Sequence, residues 1–206
     1  MVPKTGKVVT MSKSKEKILA AVKESQPAFS ALPVFTLPSQ PFDAVQKFHE
    51  VLKNIGGDVI DVSSYEQIAD FIRSHFECTK RIVATDEGLA VIAETNLSHN
   101  MPHELEDIEL FILSAHLAVA ENGAVWITDN QLSERILPFI AQHIAIIIQE
   151  EAIVPTMHEA YEKIGAADYD FATFIAGPSK TADIEQSLVL GAHGPKSMTV
   201  FIMTAL

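Results

Sequence analysis

A polar segment with several glycines, residues 177–195, separates two short apolar runs. The two runs have the length and composition of buried strands, and they lie at residues 171–176 and 198–203. Within the segment, the hydroxyl of Ser179 or Thr181 can cap a helix, and Gly191 can end that helix in the left-handed conformation. Strand, helix and strand in this order are typical of a parallel sheet. The segment therefore predicts a βαβ unit.

The predicted unit suggests a ligand site, because ligands of parallel sheets gather at the carboxyl ends of strands. Ser179 would lie in that loop, Lys180 would supply a cation, and the free amides of a helix from Thr181 would point at the same place. His193 and Gly194 in the closing loop would line the other side. These residue types also make ordinary turns and caps, and acidic residues in the predicted first turn would repel an anion. A carboxylate or phosphate site and a purely structural cap both remain open.

If this loop binds a small anion through its cation, Lys180→Ala abolishes that binding and leaves the melting temperature of the free protein within a few degrees. A variant that unfolds, or that binds the anion unchanged, indicates a structural cap instead.

The run G-P-S-K-T-A-D-I-E-Q-S-L-V-L-G-A-H-G-P resembles the signature of the LUD domain family, in its lactate-utilisation protein C branch. Residues 118–125 (A-V-A-E-N-G-A-V) and 138–147 (P-F-I-A-Q-H-I-A-I-I) resemble two further segments of that family. The family typically carries Thr-Gly-Thr where this chain has Asn122, Gly123 and Ala124. The resemblance implies a fold like that of ribose-5-phosphate isomerase and the CoA transferases. It also implies a role in oxidising L-lactate to pyruvate together with iron–sulfur partner proteins. In that role we expect this chain to bind a small anionic metabolite.

Apolar runs alternate with amphipathic helical patterns along the rest of the sequence. Further strands are predicted around residues 58–62, 81–85, 108–113 and 143–148. Helices are predicted around residues 42–55, 64–76, 132–140 and 156–164, with Pro138 kinking or ending the third and Tyr161 buried in the fourth. This alternation predicts a three-layer α/β/α domain around a mainly parallel sheet.

Two apolar runs around Asn122 and Gly123 predict a β-hairpin, which would make the sheet mixed, because both turn residues tolerate positive φ. The turn does not account for Glu121. Family I CoA transferases, relatives by fold, use a glutamate in Ser-Glu-Asn-Gly as a nucleophile, and this chain reads A-E-N-G. Glu121 is therefore the candidate catalytic residue, on a hairpin that faces the Lys180 loop with Asn122 and Gly123 as further binding residues. An acyl or CoA transferase and a binder of a phosphorylated metabolite are alternatives to the lactate role.

Charge and cysteine content narrow the classes of function. A net charge of −12 without a basic stripe argues against nucleic-acid binding. The single cysteine, Cys78, can form neither an internal disulfide nor a cluster site, which takes several thiolates. No G-x-G-x-x-G follows a predicted strand, so a dinucleotide site is not expected. We predict that this chain is a subunit without a redox cofactor of its own and that partner proteins carry the iron–sulfur clusters.

No apolar run reaches the length of a signal-peptide core or a transmembrane helix, so a cytoplasmic protein without a membrane span is expected. A Ser-led helical pattern follows Met11, an alternative start, and prolines then interrupt residues 26–41. We therefore divide the sequence into residues 1–41, a loosely attached helical arm and connector, and residues 42–206, the α/β domain.

Residues 86–106 combine an apolar piece with a polar loop that holds His99 and His103. Spacing of four suits two metal ligands on one helical turn, but Pro102 interrupts a helix there and no further ligand completes a set of three or four. The prediction is a mobile surface loop without a metal site.

Overall fold

The computed structural model describes residues 13–31, 33, 42–77, 79–97, 102–184 and 187–204. These residues fall into two compact units, divided between residues 39 and 40. The first unit contains helix α1, Lys13–Glu24, which confirms the helical pattern after Met11. Its apolar side chains Ile18, Leu19 and Val22 are exposed.

The second unit alternates helices and strands, as the sequence predicts. Its helices are α2 (Ala44–Asn54), α3 (Tyr65–His75), α4 (Leu137–Ile140) and α5 (Met157–Ile164). Its strands are β1 (Asp58–Val62), β2 (Arg81–Ala84), β3 (Ile108–Ser114), β4 (Leu117–Val119), β5 (Ala124–Thr128), β6 (His143–Gln149), β7 (Ile153–Val154), β8 (Ala172–Ile175), β9 (Lys180–Ile184), β10 (Ser187–Leu190) and β11 (Ser197–Met203). Short 3₁₀ turns lie at Glu87–Leu89, Pro102–Leu105, Asp129–Gln131 and Glu150–Ala152.

Five parallel strands form the central sheet, in the order β1-β11-β6-β3-β2. The register places Val200 of β11 beside Ile146 of β6, and Phe111 of β3 beside Ile144. All residues from Ile144 to Ile148 are buried, because a central parallel strand is covered on both faces. The predicted α/β class with a mainly parallel sheet is confirmed.

Helix α3 covers one face of this sheet. Its buried residues Ile68 and Ile72 pack in one cluster with Ile112 of β3 and Ile147 of β6. The helix begins where the sequence indicates, since the Ser64 hydroxyl accepts the amide hydrogen of Gln67. A hydroxyl acceptor there satisfies a first-turn amide that has no partner inside the helix.

Helix α2 and a second sheet cover the opposite face. Phe48 and Leu52 of α2 pack in one cluster with Ile146 of β6 and Val200 of β11. These residues alternate along each strand with those of the α3 face, because neighbouring side chains of a strand point to opposite faces. Almost complete burial of both faces explains why the core strands appear as continuous apolar runs.

The predicted hairpin, β4 and β5, belongs to the second sheet rather than to the central one. That sheet has the order β7-β4-β5-β8, with β4 antiparallel to β5 and parallel to β7. The turn is also longer than the expected two residues, because Val119 pairs with Ala124 and the Gly123 amide donates to the Val119 carbonyl. The prediction that the hairpin makes the central sheet mixed is therefore wrong.

Helix α5 covers the outer face of the second sheet. Its Ala160 is buried against Leu117 and Trp126, and the Thr156 hydroxyl accepts the Glu159 amide hydrogen at its start, as expected. Tyr161 was predicted to be buried, but it lies on the exposed side of the helix. Its ring meets the edge of Phe174 instead.

The predicted helix between Thr181 and Gly191 is wrong. Strands β9 and β10 form an antiparallel pair in which Thr181 lies opposite Val189. The preceding strand, β8, pairs antiparallel with β5 in the second sheet, so no crossover is made. Ser and Thr occur in turns as readily as at helix caps. A short apolar run fits the alternation of a strand and the 3.6-residue period of a helix equally well. Local pattern therefore could not decide between helix and hairpin here.

Two further expectations need correction. The helix expected at residues 132–140 is reduced to the single turn α4. Pro138 is the second residue of this turn rather than its end, because the first amides of a helix need no intrahelical acceptor. Residues 86–106 are not simply a surface loop, since they include two 3₁₀ turns and the fully buried Leu89 and Leu105. His99 and Cys78 lie outside the described residues.

Among the described residues, no helix is both long and apolar enough to cross a membrane. In the same part of the chain, no group of three or more His, Cys, Asp or Glu side chains could hold a metal ion.

We predict that Gly123→Ala destabilises the protein by more than positive φ alone explains. The φ of Gly123 is 69°, a conformation that costs other residues about 1–2 kcal/mol. A Cβ there would also lie 3.3 Å from the backbone nitrogen of Leu52 and 3.1 Å from Ile55 Cδ1, so the loss should exceed that range. Urea unfolding monitored by tryptophan fluorescence measures the loss, and a smaller value would contradict the steric argument.

Candidate functional site

The signature segment lies at the amino edge of the central sheet. The Ser179 amide donates to the Pro195 carbonyl over 2.9 Å, and Pro195 lies two residues before the start of β11. The Lys196 amide likewise donates to Gln142, just before β6. The sequence placed this loop at the carboxyl edge, which is wrong because β8 does not belong to the central sheet.

Lys180 binds the end of helix α2. Its Nζ donates to the Ile55 carbonyl oxygen over 2.5 Å, and Ile55 is the residue that ends the helix. The last carbonyls of a helix lack intrahelical donors and carry partial negative charge, so a cation there is stabilising. The ammonium predicted to bind an anion therefore has a structural partner. Because no helix begins at Thr181, helix amides contribute nothing to a site there.

The remaining predicted binding residues of this segment lie in two adjoining loops. Ser179 and Gly194 are in close contact, since a Cβ at Gly194 would lie 3.1 Å from Ser179 Cβ. His193 is exposed in the same closing loop. The structure thus brings Ser179, His193 and Gly194 to one place, but a role for them in ligand binding stays a prediction.

The hairpin turn packs against the same end of α2. A Cβ at Gly123 would lie 3.1 Å from Ile55 Cδ1, and one at Gly177 would lie 3.1 Å from the Ile55 oxygen. The Asn122 side-chain oxygen accepts the Ala124 amide hydrogen within the turn. Gly123 and Gly177 therefore both lie against Ile55, and a binding role for Asn122 and Gly123 stays a prediction.

Glu121 is directed towards helix α5. Its Oε1 accepts the Met157 amide hydrogen over 2.7 Å, and its own amide donates to the Pro155 carbonyl. A carboxylate at a helix start stabilises the positive end of the helix dipole. This bond explains a glutamate here without catalysis, and a catalytic role for Glu121 stays a prediction.

A partly buried polar cluster occupies the amino ends of β3, β6 and β11. His143 Nδ1 lies 2.6 Å from Ser197 Oγ, and its Nε2 lies 3.8 Å from Glu109 Oε1. Glu109 also accepts a hydrogen bond from Lys80 over 3.0 Å. Burial lowers the pKa of His143 below 6.5, Glu109 opposes this shift, and Lys196 and Lys80 reinforce it. His143 is thus held in place by its neighbours in this cluster, which gives it a structural role.

A cavity of about 390 Å³ is lined by the second sheet, by the end of α5 and by residues that follow β3 and β6 in the chain. We call it the carboxyl-edge cavity. Its polar lining comes from His116, Thr128, Asn130, Lys163 and Asp168. Its apolar and aromatic lining includes Leu117, Trp126, Ala152, Ile164 and Tyr169. His116 and Ala152 follow the carboxyl ends of β3 and β6, the edge at which parallel sheets usually bind ligands.

A hydrogen-bonded pair lies in the wall of this cavity. His116 Nε2 is 3.0 Å from Thr128 Oγ1, and Thr128 is only 5% exposed. Burial lowers the pKa of His116 from 6.5, so the imidazole is mainly neutral at pH 7. The Gln131 side chain accepts the Thr128 amide hydrogen and fixes the backbone at this point.

Aromatic packing supports another part of the lining. The Trp126 ring meets Phe174 at a centroid distance of 4.5 Å and the edge of Tyr169 at 5.6 Å. Lys163 stands in the last turn of α5, and no salt bridge engages it within the described part of the chain. The cavity therefore combines a cation, a neutral imidazole–hydroxyl pair and an apolar surface.

Sequence reasoning missed His116, Thr128 and Lys163. One signal was available, because a hairpin around Asn122 requires the residues flanking its two strands to lie side by side. His116 comes just before β4 and Thr128 ends β5, so the pairing of the strands brings them together. Lys163 had no comparable signal, since only the packing of α5 on the second sheet brings it to the cavity.

We predict that Lys180→Ala lowers the free energy of unfolding by about 1 kcal/mol, because it removes a cation from the end of α2. Lys47→Ala is the matched control, since Lys47 makes only a loose ion pair with Glu50 on the helix surface. Urea titrations of both variants should separate them, and equal stabilities would remove the capping role.

We also predict that His143 makes stability depend on pH. Its pKa is lowered in the folded protein, so the folded state binds a proton less readily than the unfolded chain. The contribution of the neutral form is fully present above about pH 6.5 and is lost as the pH falls through the folded-state pKa. His143→Asn should therefore lose less stability than the parent between pH 7 and pH 5. Unfolding titrations across this range test the difference, and parallel curves would refute it.

Comparisons with known proteins agree with this architecture. A model of the LUD domain matches residues 80–203. Lactate utilization protein C of Anoxybacillus flavithermus is 27% identical over 192 residues, which cover 93% of this chain and 82% of that protein. Lactate utilization protein C of Geobacillus thermodenitrificans is 32% identical over 106 residues, which span 48% of this chain and only 44% of that relative.

A solved structure has a similar fold. The crystal structure of a duf162 family protein from Deinococcus radiodurans superposes with a TM-score of 0.57 and 18% identity, covering 78% of this chain and 96% of that one. At this identity the likeness concerns the fold alone. The family match, by contrast, covers more than half of the sequence. The chain therefore belongs to the LUD domain family.

Proposed function

We propose that this chain takes part in the oxidation of L-lactate to pyruvate, as a component that acts with iron–sulfur partner proteins. The observation that carries the proposal is the similarity to a protein named lactate utilization protein C along 93% of the chain. Membership of the LUD domain family supports the same process. In this proposal the chain binds a small carboxylate and leaves electron transfer to its partners.

The chemistry of the reaction argues for this division of labour. Lactate loses two electrons and two protons when its carbon–oxygen single bond becomes the carbonyl of pyruvate, so an electron acceptor is required. An iron–sulfur cluster takes several thiolates, and this sequence contains one cysteine. It also lacks the glycine-rich fingerprint of a dinucleotide site. The proposed acceptor is therefore a cluster held by a partner chain.

The two alternatives gain no support from the geometry. A transferase that uses Glu121 needs a carboxylate directed at its substrate, whereas Glu121 Oε1 accepts the Met157 amide hydrogen. A phosphate site at Lys180 needs a free ammonium, whereas Lys180 Nζ donates to Ile55. The lactate role does not depend on either residue.

Purification of the chain from its native host, with and without its partners, tests this proposal. We expect iron–sulfur proteins to co-purify, and the isolated chain to be colourless and unable to reduce a dye with L-lactate. The co-purified iron–sulfur proteins, separated from this chain, form the partner fraction. The partner fraction should oxidise L-lactate faster when this chain is added back, with D-lactate as the control substrate. Dye reduction by the isolated chain would show that the chain itself carries out the redox reaction. A partner fraction whose rate of lactate oxidation does not change when the chain is added would exclude the proposed role.

A further inference from the structure

We propose that the carboxyl-edge cavity binds a small 2-hydroxy or 2-oxo monocarboxylate. The choice of this acid class rests on the proposed function, whereas the evidence for a binding site is the geometry of the cavity itself. This places the ligand at the edge of the sheet opposite the signature segment. Neither Glu121 nor Lys180 takes part in it.

The size of the cavity suits such a ligand. Sites for small molecules usually enclose about 300–1,000 Å³, and this cavity has about 390 Å³. An acid with a short carbon chain fits there with ordered water. Leu117, Ala152 and Ile164 supply an apolar surface for its methyl group.

Charge favours one carboxylate and disfavours a second. Lys163 supplies a cation in the lining, and in the described residues no salt bridge competes for it. A carboxylate paired with it forms charge-assisted hydrogen bonds, which are stronger than neutral ones. Asp168 lies in the same lining, so a second carboxylate would meet a like charge. The cavity should therefore select monocarboxylates.

The His116–Thr128 pair suits the oxygen next to the carboxylate. When His116 Nε2 carries the proton, it donates to Thr128 Oγ1, and the hydroxyl hydrogen is free to donate to a 2-oxo oxygen. In the other tautomer the hydroxyl donates to Nε2, and its lone pairs can accept a hydrogen bond from a 2-hydroxyl group. One pair can thus serve both the reduced and the oxidised acid. This property suits a protein that binds substrate and product of the same oxidation.

The sequence contains a single tryptophan, and it lies in the wall of this cavity. Intrinsic fluorescence of the isolated chain therefore reports on occupancy directly. We expect a saturable change in Trp126 fluorescence with L-lactate and with pyruvate. Propionate, which lacks the 2-oxygen, should bind at least about tenfold more weakly than lactate, because the His116–Thr128 pair then has no hydrogen-bond partner on the ligand. Malonate, with its second carboxylate, should give no saturable change.

Two substitutions assign the binding to named groups. Lys163→Met should weaken lactate and pyruvate binding about tenfold or more, since it removes the cation and keeps the apolar stem. Lys47→Met is the matched control, because Lys47 is also a helix lysine but does not line the cavity. Thr128→Val should reduce the preference for lactate over propionate, and Thr128→Ser, which keeps the hydroxyl, should restore it. Circular dichroism melting curves confirm that each variant is folded.

The outcomes separate this inference from the proposed function. An absence of saturable binding by lactate and pyruvate, or equal effects of Lys163→Met and Lys47→Met, would overturn the cavity assignment. If the partner fraction still needs this chain to oxidise lactate, the function stands without this site. If binding follows the expected pattern and the partner fraction ignores the chain, the site stands and the proposed function fails.

Discussion

The carbonyl group of Ile55, at the end of α2, is the point on which the remaining structure depends. Lys180 Nζ donates to its oxygen over 2.5 Å, although the two residues are 125 positions apart in the sequence. Gly123 and Gly177 approach Ile55 so closely that a side chain on either would crowd it. One helix end therefore joins the hairpin of the second sheet and the signature segment to the central domain. Since α2 leads directly into β1, this junction is tied to the edge strand of the central sheet.

Local sequence predicts those parts of the fold that depend on contacts within a few residues, or on burial of almost every residue in a strand. Strands β6 and β11 were predictable because almost every residue in them is buried, so their apolar runs are uninterrupted. The starts of α3 and α5 were predictable because a hydroxyl beside the first turn has a direct role as a cap. The pair β9 and β10 was not predictable, because hairpin and helix suit the same short run, and contacts made by distant residues select between them.

The candidate binding residues also differ in how far local sequence predicts them. The signature segment drew attention to Lys180, His193 and Gly194, and the structure places it at the amino edge of the sheet with a structural partner for the lysine. The carboxyl-edge cavity involves His116, Thr128 and Lys163, which are common residue types without an unusual local pattern. Pairing of β4 with β5 and packing of α5 create it, and both are non-local events. Recognising a family signature therefore identified the fold more reliably than it identified the cavity.

The two edges of the sheet are nevertheless connected, through strand β5. Its first residue, Ala124, follows the turn at Gly123, which rests on the backbone of Leu52 in α2. Its last residue, Thr128, lies in the wall of the carboxyl-edge cavity beside His116. Strands β4 and β8 pair with β5 on its two sides, so one five-residue strand extends from the turn to the cavity wall. The residues that fix the turn against α2 therefore also fix the position of the imidazole–hydroxyl pair. Lys180 and Gly177 of the signature segment thus contact the same helix end that the hairpin turn contacts, which gives the segment a structural role in positioning the cavity wall.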